Sequence, residues 1–128
     1  MKTMLVMMAS LLMALTVQAA EHSDVTIPAL KAAIAAKTVT LIDANGTDSW
    51  KKGHIPGAID FAGSGAKLAE QLPKDKGALI VAYCGGPKCM AYKAAVAAAE
   101  KLGYTNVKHL PAGIHGWQEA GETMEKGK

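Results

Sequence analysis

The segment that decides the fold is Ala78-Leu79-Ile80-Val81-Ala82-Tyr83-Cys84-Gly85-Gly86-Pro87-Lys88-Cys89. Its first part, residues 79–83, is a short apolar run in which nothing alternates toward water. That pattern predicts a central strand covered on both faces. Residues 90–102, which follow the loop, are alanine-rich and end before Gly103. They predict a helix with glycine at the C′ position. The loop between strand and helix opens and closes on the chain's two cysteines. A cysteine where a strand's carboxyl end turns into a helix start is placed for thiolate chemistry. The helix dipole and converging backbone N–H groups favour an anionic sulfur, and Lys88 adds a cation. Ligands in open α/β sheets bind at such strand ends.

Strands and helical stretches alternate outward from this centre. Residues 25–27 predict a short edge strand, and Pro28 suits the first turn of a helix to residue 36. Residues 39–43 form an apolar β-branched run, followed by Asn45-Gly46. Residues 50–53 predict a turn of helix, 58–60 a brief strand and 66–72 a helix stopped by Pro73. Residues 107–110 predict a last strand, and 113–120 a turn and short helix before a frayed tail from 122 to 128. The alternation is that of a parallel sheet with helices on its faces.

The first 19 residues predict an address. Lys2 gives a positive start, residues 4–17 an apolar core, and Val17-Gln18-Ala19 a cleavage pattern with cleavage after Ala19. The apolar run is shorter than the roughly 20 residues of a spanning helix. The expectation is a periplasmic or secreted protein, with residues 1–19 a signal peptide and 20–128 one domain. No stable membrane association is expected after cleavage. The net charge is +3 with Lys2 and +2 without it, too mild to argue for nucleic acid as a partner. Every cationic side chain other than histidine is lysine; the chain has no arginine.

Taken in order, Leu41-Ile42-Asp43, Gly53-His54-Ile55-Pro56-Gly57-Ala58, Val81-Ala82-Tyr83-Cys84, Gly103-Tyr104-Thr105-Asn106-Val107 and Gly113-Ile114-His115-Gly116-Trp117 resemble the rhodanese domain. The resemblance spans essentially all of residues 20–128. It implies an α/β fold with a central, mostly parallel five-stranded sheet and helices on both faces. It also implies a sulfurtransferase activity of the thiosulfate sulfurtransferase type. The sulfur-carrying cysteine, first in the active-site loop, falls on Cys84. A thiolate there would take sulfane sulfur from thiosulfate or a related donor, become a persulfide, and pass the sulfur to a thiol or other nucleophile. No cofactor and no metal is expected.

The residues of the loop fit that chemistry independently. A persulfide's outer sulfur is an anion, and residues 85–89 around a helix start can aim successive N–H groups at one spot. Gly85 and Gly86 permit the required backbone angles. Pro87 lacks an N–H but stiffens the loop, and Lys88 can pair with an anionic donor. The six-residue loop matches sulfurtransferases. Related phosphatases of the fold have a longer loop ending in an arginine, and the bidentate phosphate grip cannot be built without arginine.

The sequence also departs from the pattern. The commonest loops of the family have glycine at the place of Pro87, and arginine, threonine or a similar polar residue at that of Cys89. The family's usual arginine after the strand aspartate, and a glutamate beyond it, are Asn45 and Ser49 here. Both members of that pair are neutral, so no buried charge is left unpaired.

Cys89 separates the functional readings. It can form a structural disulfide with Cys84, pack as a free thiol, or act as a resolving thiol. In the last case it attacks the Cys84 persulfide and leaves a disulfide for a periplasmic thiol reductant to reopen. The alternatives to a sulfurtransferase are therefore a dithiol/disulfide redox protein using Cys84 and Cys89, or a non-catalytic rhodanese-like binding domain. Asp43 and His54 are expected as supports, Asp43 capping backbone at the strand end and His54 bracing the turn after the short helix. Trp50 and Trp117 are expected to pack, and Tyr83 and Tyr92 to pack or line the pocket. His109 and His115 lack zinc-finger spacing.

Overall fold

The computed structural model describes residues 23–128; the predicted signal segment lies outside them. A helix, α1 (Ile27–Ala35), starts the domain. Strand β1 (Val39–Asp43), helix α2 (Thr47–Lys52) and strand β2 (Ile59–Asp60) follow. Two short helices, α3 (Phe61–Ser64) and α4 (Leu68–Gln71), flank a 3-10 turn at Gly65–Lys67. Strand β3 (Leu79–Tyr83), helix α5 (Tyr92–Lys101), strand β4 (Val107–His109) and helix α6 (Gly113–Glu119) complete the order.

The sheet runs β2-β1-β3-β4 with every neighbouring pair parallel. Its two central strands are apolar because both faces are covered, and the period of two divides their side chains between two cores. Ile42, Ile80 and Ala82 join Leu68, Ala95, Val96 and Ala99 on the α4–α5 side. Leu41, Val81 and Tyr83 join Leu30 and Trp117 on the α1–α6 side. Ile42, Ile80 and Val81 are fully buried, and each such side chain stabilises the fold by about 1.5–3 kcal/mol relative to exposure.

Among the described residues the sheet has four strands where five were expected. The stretch at 25–27 contracts to one parallel bridge, Asp24 to His109, with Val25 N–H donating to the His109 carbonyl at 2.8 Å. The reason is local. Thr26 is the N-cap of α1, its hydroxyl accepting from the Ala29 N–H at 3.3 Å, so the chain becomes helical at Ile27. The C-terminus of α5 is as expected. Gly103, at φ +96°, occupies C′. Its N–H donates to the Glu100 carbonyl and that of Tyr104 to the Ala99 carbonyl, the Schellman pair.

The tail is docked rather than frayed. Residues His54 and Glu125 exchange backbone hydrogen bonds at 2.9 Å, and Gly127 N–H donates to the Lys51 carbonyl at 3.1 Å. The Glu125 carboxylate accepts from Gly57 N–H, and the Thr123 carbonyl accepts from the Trp117 indole. Main-chain groups do most of this work, so the polar side chains of 122–128 gave no sign of it.

Candidate active site

The strand order places β1 and β3 side by side at the centre, with Asp43 opposite Tyr83. Beyond those residues β1 leads toward β2 on one side, and β3 leads toward β4 on the other. Their adjacent carboxyl ends form the switch point at which α/β sheets open a crevice. The loop from Cys84 to Cys89 lies there, and α5 begins three residues after it.

Cys84 is 1% exposed and is joined to Cys89 by a disulfide, with Cα atoms 6.2 Å apart. The Cys89 N–H donates to the Gly86 carbonyl at 3.0 Å, closing a turn whose tip is exposed Pro87 and Lys88. In this closed form the Cys89 N–H therefore serves the turn rather than an anion at Cys84. Helix α6 fixes the loop from beneath. Ile114 N–H donates to the Cys84 carbonyl at 2.9 Å, and His115 N–H to that of Gly85 at 3.0 Å. This approach requires glycine at 113, which sits at φ +60°. A Cβ there would meet the Gly85 carbonyl carbon at 2.5 Å and the Cys84 oxygen at 2.6 Å.

Two depressions open beside the loop. One, of about 520 Å³, is lined by Gly85, Gly86, Pro87, Lys88, Cys89 and His115. The other, of about 260 Å³, is lined by Asn45, Ser49, Lys52 and Gln118 among others, and again by His115. Asn45 and Ser49 thus face one recess next to the cysteine loop. Lys52 supplies its cation, beside the His115 imidazole. Sequence reasoning considered His115 only as a metal ligand. Its signal was its position two residues after a glycine that must touch the loop. His109 lies elsewhere, buried on β4 with its ring stacked on Tyr92 at 3.4 Å; Tyr92 therefore packs and does not line either depression. Among the described residues, no three His, Cys, Asp or Glu side chains are grouped to hold a metal ion.

Asp43 and His54 lie behind the loop, both buried and lining neither depression. Asp43 accepts from Asn45 N–H at 2.7 Å and from the Tyr83 hydroxyl at 2.8 Å. The Tyr83 oxygen in turn accepts from Ile55 N–H at 3.0 Å. Burial pushes the Asp43 carboxyl above the ordinary carboxylate range, against the pull of the Asn45 and Tyr83 donors. Burial, and then the Asp43 charge, hold the Tyr83 hydroxyl firmly protonated. His54 Nδ1 lies 2.7 Å from the Trp50 carbonyl, which can only accept, so that nitrogen carries the proton. The imidazole also stacks on Trp50 with centroids 4.2 Å apart. The arrangement makes both residues braces for the chain around the crevice.

Sheet, switch point and loop define an α/β domain in which a two-cysteine loop joins a central strand to a helix. The chain belongs to the rhodanese-like domain family, whose model matches residues 26–120. It is similar to the HTH-type transcriptional regulator Rv0324 of Mycobacterium tuberculosis, 39% identical over 70% of this chain and 38% of that protein. The chain thus spans well under half the length of that relative. Among solved structures, the BH2092 protein of Bacillus halodurans is 27% identical, with a TM-score of 0.69 over 81% of this chain and 77% of its own. Thiosulfate sulfurtransferase from Pseudomonas aeruginosa superposes with a TM-score of 0.65 at 23% identity, over 84% of this chain and 21% of its own. That last likeness concerns the fold alone.

Proposed function

We propose that this chain is a sulfurtransferase carrying sulfane sulfur on Cys84, in the periplasm or outside the cell. The observation that carries the reading is the position of Cys84, first in a six-residue loop at the switch point between β1 and β3. The fold is one that a thiosulfate sulfurtransferase also uses. With the disulfide reduced, the Cys84 thiolate attacks the outer sulfur of thiosulfate. The donor S–S bond breaks, sulfite leaves with the electron pair, and Cys84 becomes a persulfide anion. An acceptor thiolate then takes the outer sulfur and returns Cys84 as thiolate. Lys52, Lys88 and His115 surround the approach with groups able to meet an anionic donor.

Mass spectrometry of reduced protein after thiosulfate treatment tests this. A gain of about 32 Da on the peptide containing Cys84, absent in Cys84→Ser, is expected. Reduced wild type that gains nothing from any sulfane donor would sink the proposal.

The Cys84–Cys89 disulfide supports a second reading, a dithiol/disulfide redox protein on the same scaffold. Under it the disulfide turns over with a thiol reductant and no sulfur is carried.

A further inference from the structure

The two sulfurs of the loop disulfide are not equivalent. Attack on a disulfide needs a thiolate in line with the S–S bond, behind the sulfur it joins, so access decides which sulfur is attacked. Cys84 is 1% exposed, and its neighbours on the strand side, Ala82 and Tyr83, are fully buried. Behind it lie the β3 end and the α6 brace, where the carbonyls of Cys84 and Gly85 are held by Ile114 and His115. Cys89 is only half-buried and lines the larger depression together with Lys88 and His115. Met90, which follows it, is 56% exposed.

We infer that an incoming thiolate enters at Cys89, and that Cys84 is the sulfur released. The step is balanced. The external thiolate RS⁻ forms a bond to Cys89 Sγ, the Cys84–Cys89 bond breaks, and its electron pair leaves on Cys84 as thiolate. A second thiol takes RS– from Cys89 as RSSR and frees the Cys89 thiol. Reduction therefore delivers the buried cysteine already in its nucleophilic form, at the carboxyl end of β3. The reading of Cys84 as sulfur carrier gives this its use. In that cycle the Cys89 thiol attacks the inner sulfur of the Cys84 persulfide anion, its proton passes to the departing outer sulfur, hydrosulfide leaves, and the disulfide re-forms for the next external thiol. The substrate class assigned to the depression at Cys89 is a thiolate, with the Lys88 ammonium favouring an anionic one.

The sequence makes the test direct, because trypsin cuts between Lys88 and Cys89 and separates the cysteines into residues 77–88 and 89–93. Oxidised wild-type protein is exposed briefly to excess glutathione, acid-quenched at successive times, alkylated with N-ethylmaleimide and mapped. Glutathione on 89–93 with maleimide on 77–88 is expected. Glutathione on 77–88, or a disulfide that glutathione leaves intact, overturns the assignment. Where reduction completes with no adduct captured, Lys88→Glu decides. It should slow reduction by anionic glutathione by roughly threefold or more and not slow reduction by cationic cysteamine. An unchanged ratio of the two rates overturns the assignment. Neither readout involves sulfane sulfur, so this result and the persulfide result stand or fall separately.

Discussion

The Tyr83 hydroxyl donates to Asp43 Oδ2 at 2.8 Å across the two central strands, one residue before Cys84. The same hydroxyl oxygen accepts from Ile55 N–H, and the Tyr83 carbonyl accepts from Ala44 N–H at 2.9 Å. One side chain and its backbone thus tie β1, β3 and the segment after α2 at the point from which the cysteine loop departs. Tyr83→Phe leaves both the Ile55 donor and one Asp43 oxygen buried without their partner. A loss of about 2–5 kcal/mol in denaturant unfolding is expected; a change within error would show that the strand ends do not depend on this bond.

Asp43 gives the fold a pH signature. Its folded-state pKa is raised by burial from the ordinary 3.8, so the folded chain holds that proton more tightly than the unfolded one. The stability it contributes is greatest below the ordinary value. It declines as pH rises through the window up to the raised folded-state pKa, and is flat above it. Asp43→Asn should remove this component from the stability-versus-pH curve. It should also destabilise the protein at neutral pH by about 1–3 kcal/mol, since an amide cannot accept from both neighbours. Paired urea titrations at successive pH values would read both effects.

Gly113→Ala drives a methyl into the backbone of Cys84 and Gly85 and sets a side chain at φ +60°. Strain and overpacking together predict a cost of about 2–5 kcal/mol. Gly121→Ala, also at positive φ but with nothing near its Cβ, supplies the control. Sulfur transfer in Gly113→Ala should fall even where the protein remains folded, while Gly121→Ala keeps it.

Reducing the loop disulfide should cost little. A closed loop of six residues limits the unfolded chain by about 2 kcal/mol in the chain-entropy description. Thermal or denaturant unfolding with and without reductant should therefore differ by about that amount or less. Complete unfolding on reduction would mean that the disulfide holds the domain together, which is incompatible with a cycle that opens it.

Cys89→Ala should keep the persulfide and lose its internal resolution. The expected outcome is an undiminished 32 Da gain on Cys84 with release of hydrosulfide reduced at least about tenfold. Release at the wild-type rate would show that external thiols resolve the persulfide unaided.

The apolar strands and the punctuated helix after them were legible because each is a local pattern. Residues 79–83 had to be a covered strand, and Gly103 had to end a helix. Asp43 and His54 were legible as braces for a similar reason, since each sits where chain reversals need partners. The rest depended on tertiary contact. Helix α5 starts at Tyr92 rather than 90, because residues 86–89 close a turn first. The helix foreseen at 66–72 is divided by a 3-10 turn, with an unforeseen helical turn before it at Phe61–Ser64. His115 reaches the loop only because α6 turns back beneath it, and Glu125 reaches His54 through backbone groups that carry no residue signature.

The pair of cysteines has one more consequence, for the making of the molecule. A chain with two cysteines has a single intramolecular disulfide available to it, whereas four would already allow three connectivities. Oxidation before folding and oxidation after it lead to the same covalent product. The brace from α6 comes late in the chain, yet a premature bond between neighbours five residues apart does not trap the wrong topology. The only wrong disulfide is one made with another molecule, so the chain needs protection from crowding by other thiols rather than help in choosing a partner.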